Sequence, residues 1–226
     1  MDIVLIAGLW LDGSAWADVA PTLERLGYRP VALTLPGQGD GSSAASLDDQ
    51  VDAVVAAVDA ADRPMVVGHS AACSLAWLAA DRRPDVVTKV ALIGGFPSAD
   101  GEPYADFFPT AGGAMPFPGW DPFEGPDSAD LDQPAKDRMA TTAIAVPEQV
   151  TKGVVRLTDE RRFDVPVALV CPEFTPAQAK EWIDGGEVPE LARASTLEYL
   201  DIESGHWPMF TKPQELAELL AASAER

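Results

Sequence analysis

Met65-Val66-Val67-Gly68-His69-Ser70-Ala71-Ala72 decides how this chain is read. A short apolar run ends at Gly68, and an Ala-rich stretch of helix-forming residues begins at Ala71. Gly-x-Ser-x-small at such a junction marks a sharp strand-to-helix turn that lifts a serine clear of the backbone. The requirement is steric: the serine backbone is strained, so the residues two before and two after must be small. Gly68 and Ala72 both qualify, although Ala72 departs from the strict glycine. The first turn of the helix that follows presents N–H groups to any developing oxyanion. Ser70 is therefore a candidate nucleophile.

Working outward, apolar runs alternate with helical patterns. Asp2 to Ala7, Pro30 to Leu35, Pro64 to Val67, Val86 to Ile93, Val165 to Val170 and Thr196 to Ile202 read as strands. Between them Ser14 to Leu26, Leu47 to Ala61, Ala71 to Asp81 and Thr175 to Ile183 read as helices, and Pro213 to Ala222 as a final one. Ser46 is placed to cap the second helix, with Asp48 and Asp49 in its first turn. Alternation of this kind implies βαβ units and a mostly parallel sheet flanked by helices. From Pro97 to Pro134 the periodicity disappears, and the chain is rich in Pro, Gly, Asp and aromatics. Lys136 to Leu157 reads as helix in two pieces, split at Pro147. The stretch from about Pro97 to Phe163 is expected to be an insertion on the sheet edge within a single domain. An aromatic-rich loop of this length is usually a lid or binding loop.

Composition removes several function classes. The chain has 226 residues and carries 36 acids against 16 bases, a formal charge of −20. Such a field repels nucleic acid and anionic membranes and disfavours a strongly anionic substrate. No apolar run reaches the about 18 residues needed to span a membrane. The start, MDIVLIAGLWLDG, has neither the basic segment nor the cleavage site of a secretory signal, so a cytoplasmic location is expected. Two distant cysteines and two distant histidines make neither a disulfide framework nor a metal site. No P-loop or dinucleotide fingerprint occurs. No cofactor is expected.

Only His69 and His206 are available as a general base. His69 adjoins Ser70, and in such a turn its side chain is expected to point away from the reacting face. His206, in the loop Ser204-Gly205-His206-Trp207-Pro208, is the remaining choice for activating the hydroxyl near neutral pH. An acid should orient that imidazole, and in chain order it falls between the serine and the histidine. Glu173 is the one acid in the loop after Val165 to Val170. Asp100 or Glu102, after the earlier strand, is the alternative.

With the Ser70 turn, the Pro36-Gly37-Gln38-Gly39-Asp40 turn and the His206 loop, Ile6 to Trp16 completes a set that resembles the α/β-hydrolase fold over nearly the whole chain. The resemblance implies a small lid insertion and an oxyanion hole built from the N–H groups of Leu9 (or Trp10) and Ala71. It places Gly8, Trp10, Phe96 and Trp207 at the substrate. Ala7-Gly8 stands where most members carry His-Gly. The spacing Gly8, Gly13, Trp16 is similar to the branch holding plant methyl esterases and hydroxynitrile lyases. Those lyases typically have Thr at the Gly8 position and Lys after the catalytic histidine, where this chain has Trp207, so the esterase side is favoured. The implied activity is hydrolysis of a small, uncharged, partly apolar ester or lactone by a monomer or homodimer. A lyase or carbon–carbon hydrolase on the same residues, or a non-catalytic ligand binder, is the alternative.

Overall fold

The computed structural model describes residues 1–226. Six strands form one sheet in the order β2-β1-β3-β4-β7-β8, with every pair parallel. They are β1 (Asp2–Ile6), β2 (Arg29–Leu33), β3 (Met65–His69), β4 (Lys89–Ile93), β7 (Val167–Cys171) and β8 (Leu197–Asp201). The four central strands are buried throughout, while the edge strands β2 and β8 are partly exposed. Side chains alternate along each central strand, as the pleat demands. Val4, Val66, Leu92 and Leu169 join one core cluster. Leu5, Val67, Ile93 and Val170 join the other, on the opposite face.

The first face is covered by α2 (Leu47–Asp59), α3 (Ala72–Arg82) and α6 (Pro176–Asp184). The second is covered by α1 (Ala20–Arg25) and α8 (Pro213–Ala224). Ser46 and Asp49 form the expected capping box on α2. The helix expected over Ser14 to Leu26 is divided: a 3₁₀ turn, Gly13–Trp16, precedes α1. Pro21 explains the break, because a proline inside a continuous helix loses a hydrogen bond and clashes with the preceding turn.

Residues 97–163 leave β4 and return to β7. These strands are neighbours inside the sheet, so the segment is not attached at a sheet edge as expected. It holds α4 (Gln133–Thr142), a two-stranded antiparallel pair of β5 (Ala114–Met115) and β6 (Val146–Pro147), and the single turn α5 (Glu148–Thr151). The two helical pieces expected over Lys136 to Leu157, split at Pro147, are present but short: α4 ends at Thr142, and α5 follows Pro147 and ends at Thr151. The Ile144 N–H donates to the Trp10 carbonyl at 2.9 Å, which ties the insertion to the loop after β1. The last helix pair is α7 (Pro208–Thr211) and α8. The chain reverses direction in the sheet between β1 and β3, and their carboxyl ends form the crevice where ligands bind in open α/β sheets.

Candidate active site

Ser70 follows β3 directly and sits in the left-handed region at φ +56°. Its N–H still donates to the Ile93 carbonyl of β4 at 2.8 Å, so the strained turn is stitched to the sheet. Any Cβ at Gly68 would collide with the Ala72 carbonyl, which is the physical content of the motif. The Ser70 Oγ lies 2.9 Å from His206 Nε2, with the hydroxyl placed to donate to the ring nitrogen. At the other end of the ring, Nδ1–H donates to Glu173 Oε1 at 2.6 Å. His206 and Glu173 are 13% and 14% exposed in their side chains, so both are largely shielded from water.

The structure brings Ser70, His206 and Glu173 together and leaves the other acids elsewhere. Asp100 accepts from the Leu157 N–H at 2.8 Å, and Glu102 accepts from the Ala99 N–H at 3.3 Å. Gly8 packs so closely on Ser70 that an added Cβ would approach the serine Cβ at 3.0 Å. The N–H groups of Leu9 and Ala71 donate to no acceptor in the protein.

His69 departs from expectation. Its ring does not point away; it lies 4.9 Å from the His206 ring, centroid to centroid, and lines the same cavity. Nε2 faces the His206 carbonyl at 2.7 Å, so that nitrogen carries the proton and donates. Nδ1 is buried without a partner. Burial, and then the neighbouring His206, hold the His69 pKa well below the ordinary histidine value. A neutral His69 therefore buttresses the His206 loop and stands beside the serine without contacting it as a base.

A cavity of about 50 Å³ sits over Ser70, lined by Leu9, Trp10, His69, His206, Trp207 and three insertion phenylalanines, Phe107, Phe108 and Phe123. Trp10 is held at φ +66° and donates from Nε1 to the Met115 carbonyl at 3.3 Å. Its ring meets Phe108, Phe117 and Phe123 at 5.3–5.9 Å. Trp207 stands edge-on to His206 at 4.8 Å. Phe96, expected at the substrate, is not in this lining. It stacks on Phe174 and meets Trp182 edge-on, filling the space under α6.

The sequence reading missed a clamp from the insertion. The His206 N–H donates to the Asp127 carbonyl, and the Gly205 N–H donates to Asp130 Oδ2, each at 2.8 Å. A Cβ at Gly205 would collide with both partners, so glycine is needed there for close approach. Burial, reinforced by the nearby Glu173, holds the Asp127 carboxyl above its ordinary value. Asp127 and Asp130 lie in the aperiodic stretch, where no local pattern flags them.

The arrangement supplies a hydroxyl paired with an imidazole, a carboxylate behind the imidazole and unengaged N–H donors beside the hydroxyl. Comparison with known proteins agrees on the fold. An extracellular α/β-hydrolase from a Paenibacillus species superposes with a TM-score of 0.81 at 18% identity, covering 98% of both chains. A methylesterase from Arabidopsis matches with a TM-score of 0.75 at 13% identity, over 100% of this chain and 99% of that one. A pyrethroid hydrolase from Sphingobium faniae matches with a TM-score of 0.71 at 22% identity, over 100% and 97%. The family model described as "Alpha/beta hydrolase family" matches residues 3–219, and the chain belongs to that family.

Proposed function

We propose that this hydrolase cleaves a small, uncharged, partly apolar carboxylic ester or lactone through an acyl-enzyme on Ser70. The observation that carries this reading is the unbroken hydrogen-bonded line from Ser70 through His206 to Glu173. Ser70 Oγ attacks the carbonyl carbon as its proton passes to His206 Nε2, and the carbonyl π electrons move onto oxygen. The Leu9 and Ala71 N–H groups receive that oxyanion. Glu173 holds the ring tautomer and stabilises the imidazolium without taking the proton. When the tetrahedral species collapses, the carbon–oxygen bond to the leaving group breaks, and His206 returns the proton to that oxygen. Water, deprotonated by His206, then attacks the acyl carbon, and as the bond from that carbon to Ser70 Oγ breaks, His206 returns the proton to Oγ and the acid is freed.

Neither cysteine competes as the nucleophile: burial raises both thiols, Cys171 to about 12. The aromatic walls and the overall charge of −20 support an uncharged, apolar substrate. Residues 97–163 act as a lid, placing Phe107, Phe108 and Phe123 against the cavity over Ser70. The names methylesterase and pyrethroid hydrolase among the structural relatives accord with ester chemistry.

Intact-mass spectrometry after brief fluorophosphonate treatment tests the reading. Wild type should gain one adduct at Ser70, and Ser70→Ala should gain none. Ester turnover in Ser70→Ala should fall by about 10⁴-fold or more. An unlabelled wild type, or undiminished turnover in the variant, would reject the mechanism.

A further inference from the structure

The Pro36 to Asp40 turn follows β2 and contributes no side chain to the cavity over Ser70. Yet its Gln38 is only 1% exposed. Gln38 Nε2 donates twice, to the carbonyls of Gly8 at 3.0 Å and Leu11 at 2.9 Å. Gln50, on α2 and wholly buried, donates from its own Nε2 to Gln38 Oε1 at 3.1 Å and to the Pro36 carbonyl at 2.8 Å. Gln50 Oε1 has no partner. Two amides buried in this way, one with an orphaned oxygen, are costly, and apolar side chains of similar volume would avoid the cost.

The geometry supplies a reason for them. The Gly8 carbonyl and the Leu9 N–H belong to one peptide unit. That unit is planar and trans, so its oxygen and hydrogen point in opposite directions. Holding the oxygen fixes where the N–H aims. Glycine leaves this peptide unusually free to rotate; the Leu11 N–H reaches the Gly8 carbonyl only at 3.4 Å, and the shorter bond from the Gln38 amide removes most of that freedom. The second bond, to Leu11, pins the far end of the same short loop. An amide can serve two carbonyls only with its nitrogen toward them. The Gln50 N–H group, by occupying the Gln38 oxygen, selects that orientation.

We infer that Gln38 is a positioning residue for the Leu9 N–H and that Gln50 acts through Gln38 by setting its amide orientation. This rests on the hydrolase reading above, in which Leu9 supplies half of the oxyanion hole. Removing an oxyanion donor outright costs about 10²–10³-fold in kcat, so misaiming one should cost about 10–100-fold.

The test uses Gln38→Met, Gln50→Met and the double variant, which keep side-chain volume but remove the amides. Hydrolysis of p-nitrophenyl acetate is measured beside binding of an aryl trifluoromethyl ketone, whose serine adduct carries an oxyanion. In Gln38→Met, kcat should fall while KM holds, and ketone affinity should fall by the same factor as kcat. The pH profile of kcat should keep its shape, because His206 is untouched. Gln50→Met should lose less, and the double variant should match Gln38→Met, since Gln50 acts only through it. A folded Gln38→Met with wild-type kcat and ketone affinity would overturn the inference, as would losses that multiply in the double variant. If Gln38→Met does not fold, unchanged ketone affinity in Gln50→Met overturns it. Wild type that neither turns over ester nor takes the fluorophosphonate refutes the hydrolase reading and this inference together. Wild type and Gln38→Met that are equally active, beside an inactive Ser70→Ala, refute this inference alone.

Discussion

Ser70 is held in a backbone conformation that costs of order 1–3 kcal/mol for a non-glycine residue. The turn persists because the Ser70 N–H remains bonded to β4 and because Gly68 lets the helix close over the strand end. His69, one residue earlier, supports the site through the His206 carbonyl and must stay neutral to do so in a buried setting. Its folded pKa is depressed, so the unfolded chain binds a proton that the folded chain refuses. Stability from this group is fully present above the unfolded value near 6.5 and is lost as pH falls toward the depressed folded value. One proton of difference gives a slope of about 1.4 kcal/mol per pH unit. Urea unfolding at neutral and mildly acidic pH should reveal this slope in wild type. In His69→Gln, which keeps an N–H donor and cannot titrate, it should be smaller by that amount. Equal slopes in the two proteins would remove His69 from the account.

Among the elements, the insertion is fastened at its return to the sheet. At its return, Arg162, 5% exposed, donates to Glu190 at 3.0 Å and to the Asp159 carbonyl at 3.0 Å, and pairs with Asp81 at 3.4 Å. Glu190 also accepts from Trp77 of α3 at 2.9 Å. Removing one partner from such a buried cluster strands the opposite charges. Arg162→Met should therefore lose about 3–5 kcal/mol in urea unfolding; a loss no larger than that of a surface substitution would show that the cluster anchors nothing. Near the cavity the fastening is lighter. Phe107 lines the cavity yet is 62% exposed, which places it at the mouth. Phe107→Ala should leave stability nearly unchanged and raise kcat/KM for esters with bulky alcohols relative to acetates. If the ratio between bulky and small substrates stays at its wild-type value, the mouth lies elsewhere. The clamp on the His206 loop is sharper still. Gly205→Ala should push the loop off Asp127 and Asp130 and lower kcat, with the fluorophosphonate labelling rate falling in parallel.

For the whole molecule, two apolar layers on a parallel sheet supply the scaffold, and a net charge of −20 opposes its compaction. The ion pairs of Arg161 with Asp85 and of Lys180 with Asp184 lie at the exposed surface and contribute little. Repulsion among unpaired acids dominates because 36 acids face 16 bases. Added salt should therefore stabilise the protein. Raising NaCl from about 0.02 M to about 0.5 M shortens the Debye length from roughly 20 Å to a few ångströms, and Tm should rise. A flat or falling Tm would mean that attractive pairs outweigh the excess of acids.

Local pattern was enough to read the parallel sheet, the turn at Ser70 and the choice of His206, because each depends on nearby residues or on scarcity. Continuous apolar runs mark the strands, which are buried on both faces, small neighbours permit the strained serine, and a chain with two histidines leaves a short search. Glu173 was legible as a position, but its choice over Asp100 or Glu102 rests on the contact with His206. The course of residues 97–163, the placement of Phe96, the turn of His69 toward the site and the clamp from Asp127 and Asp130 were not legible. They arise from contacts between segments far apart in the chain, made where the sequence has no period. The hydroxyl of Ser70 and the imidazole of His206 are themselves 136 residues apart. Composition and periodicity specify which surfaces must be buried, whereas the meeting of two polar side chains depends on how the buried layers align, and that is set by the packed fold as a whole.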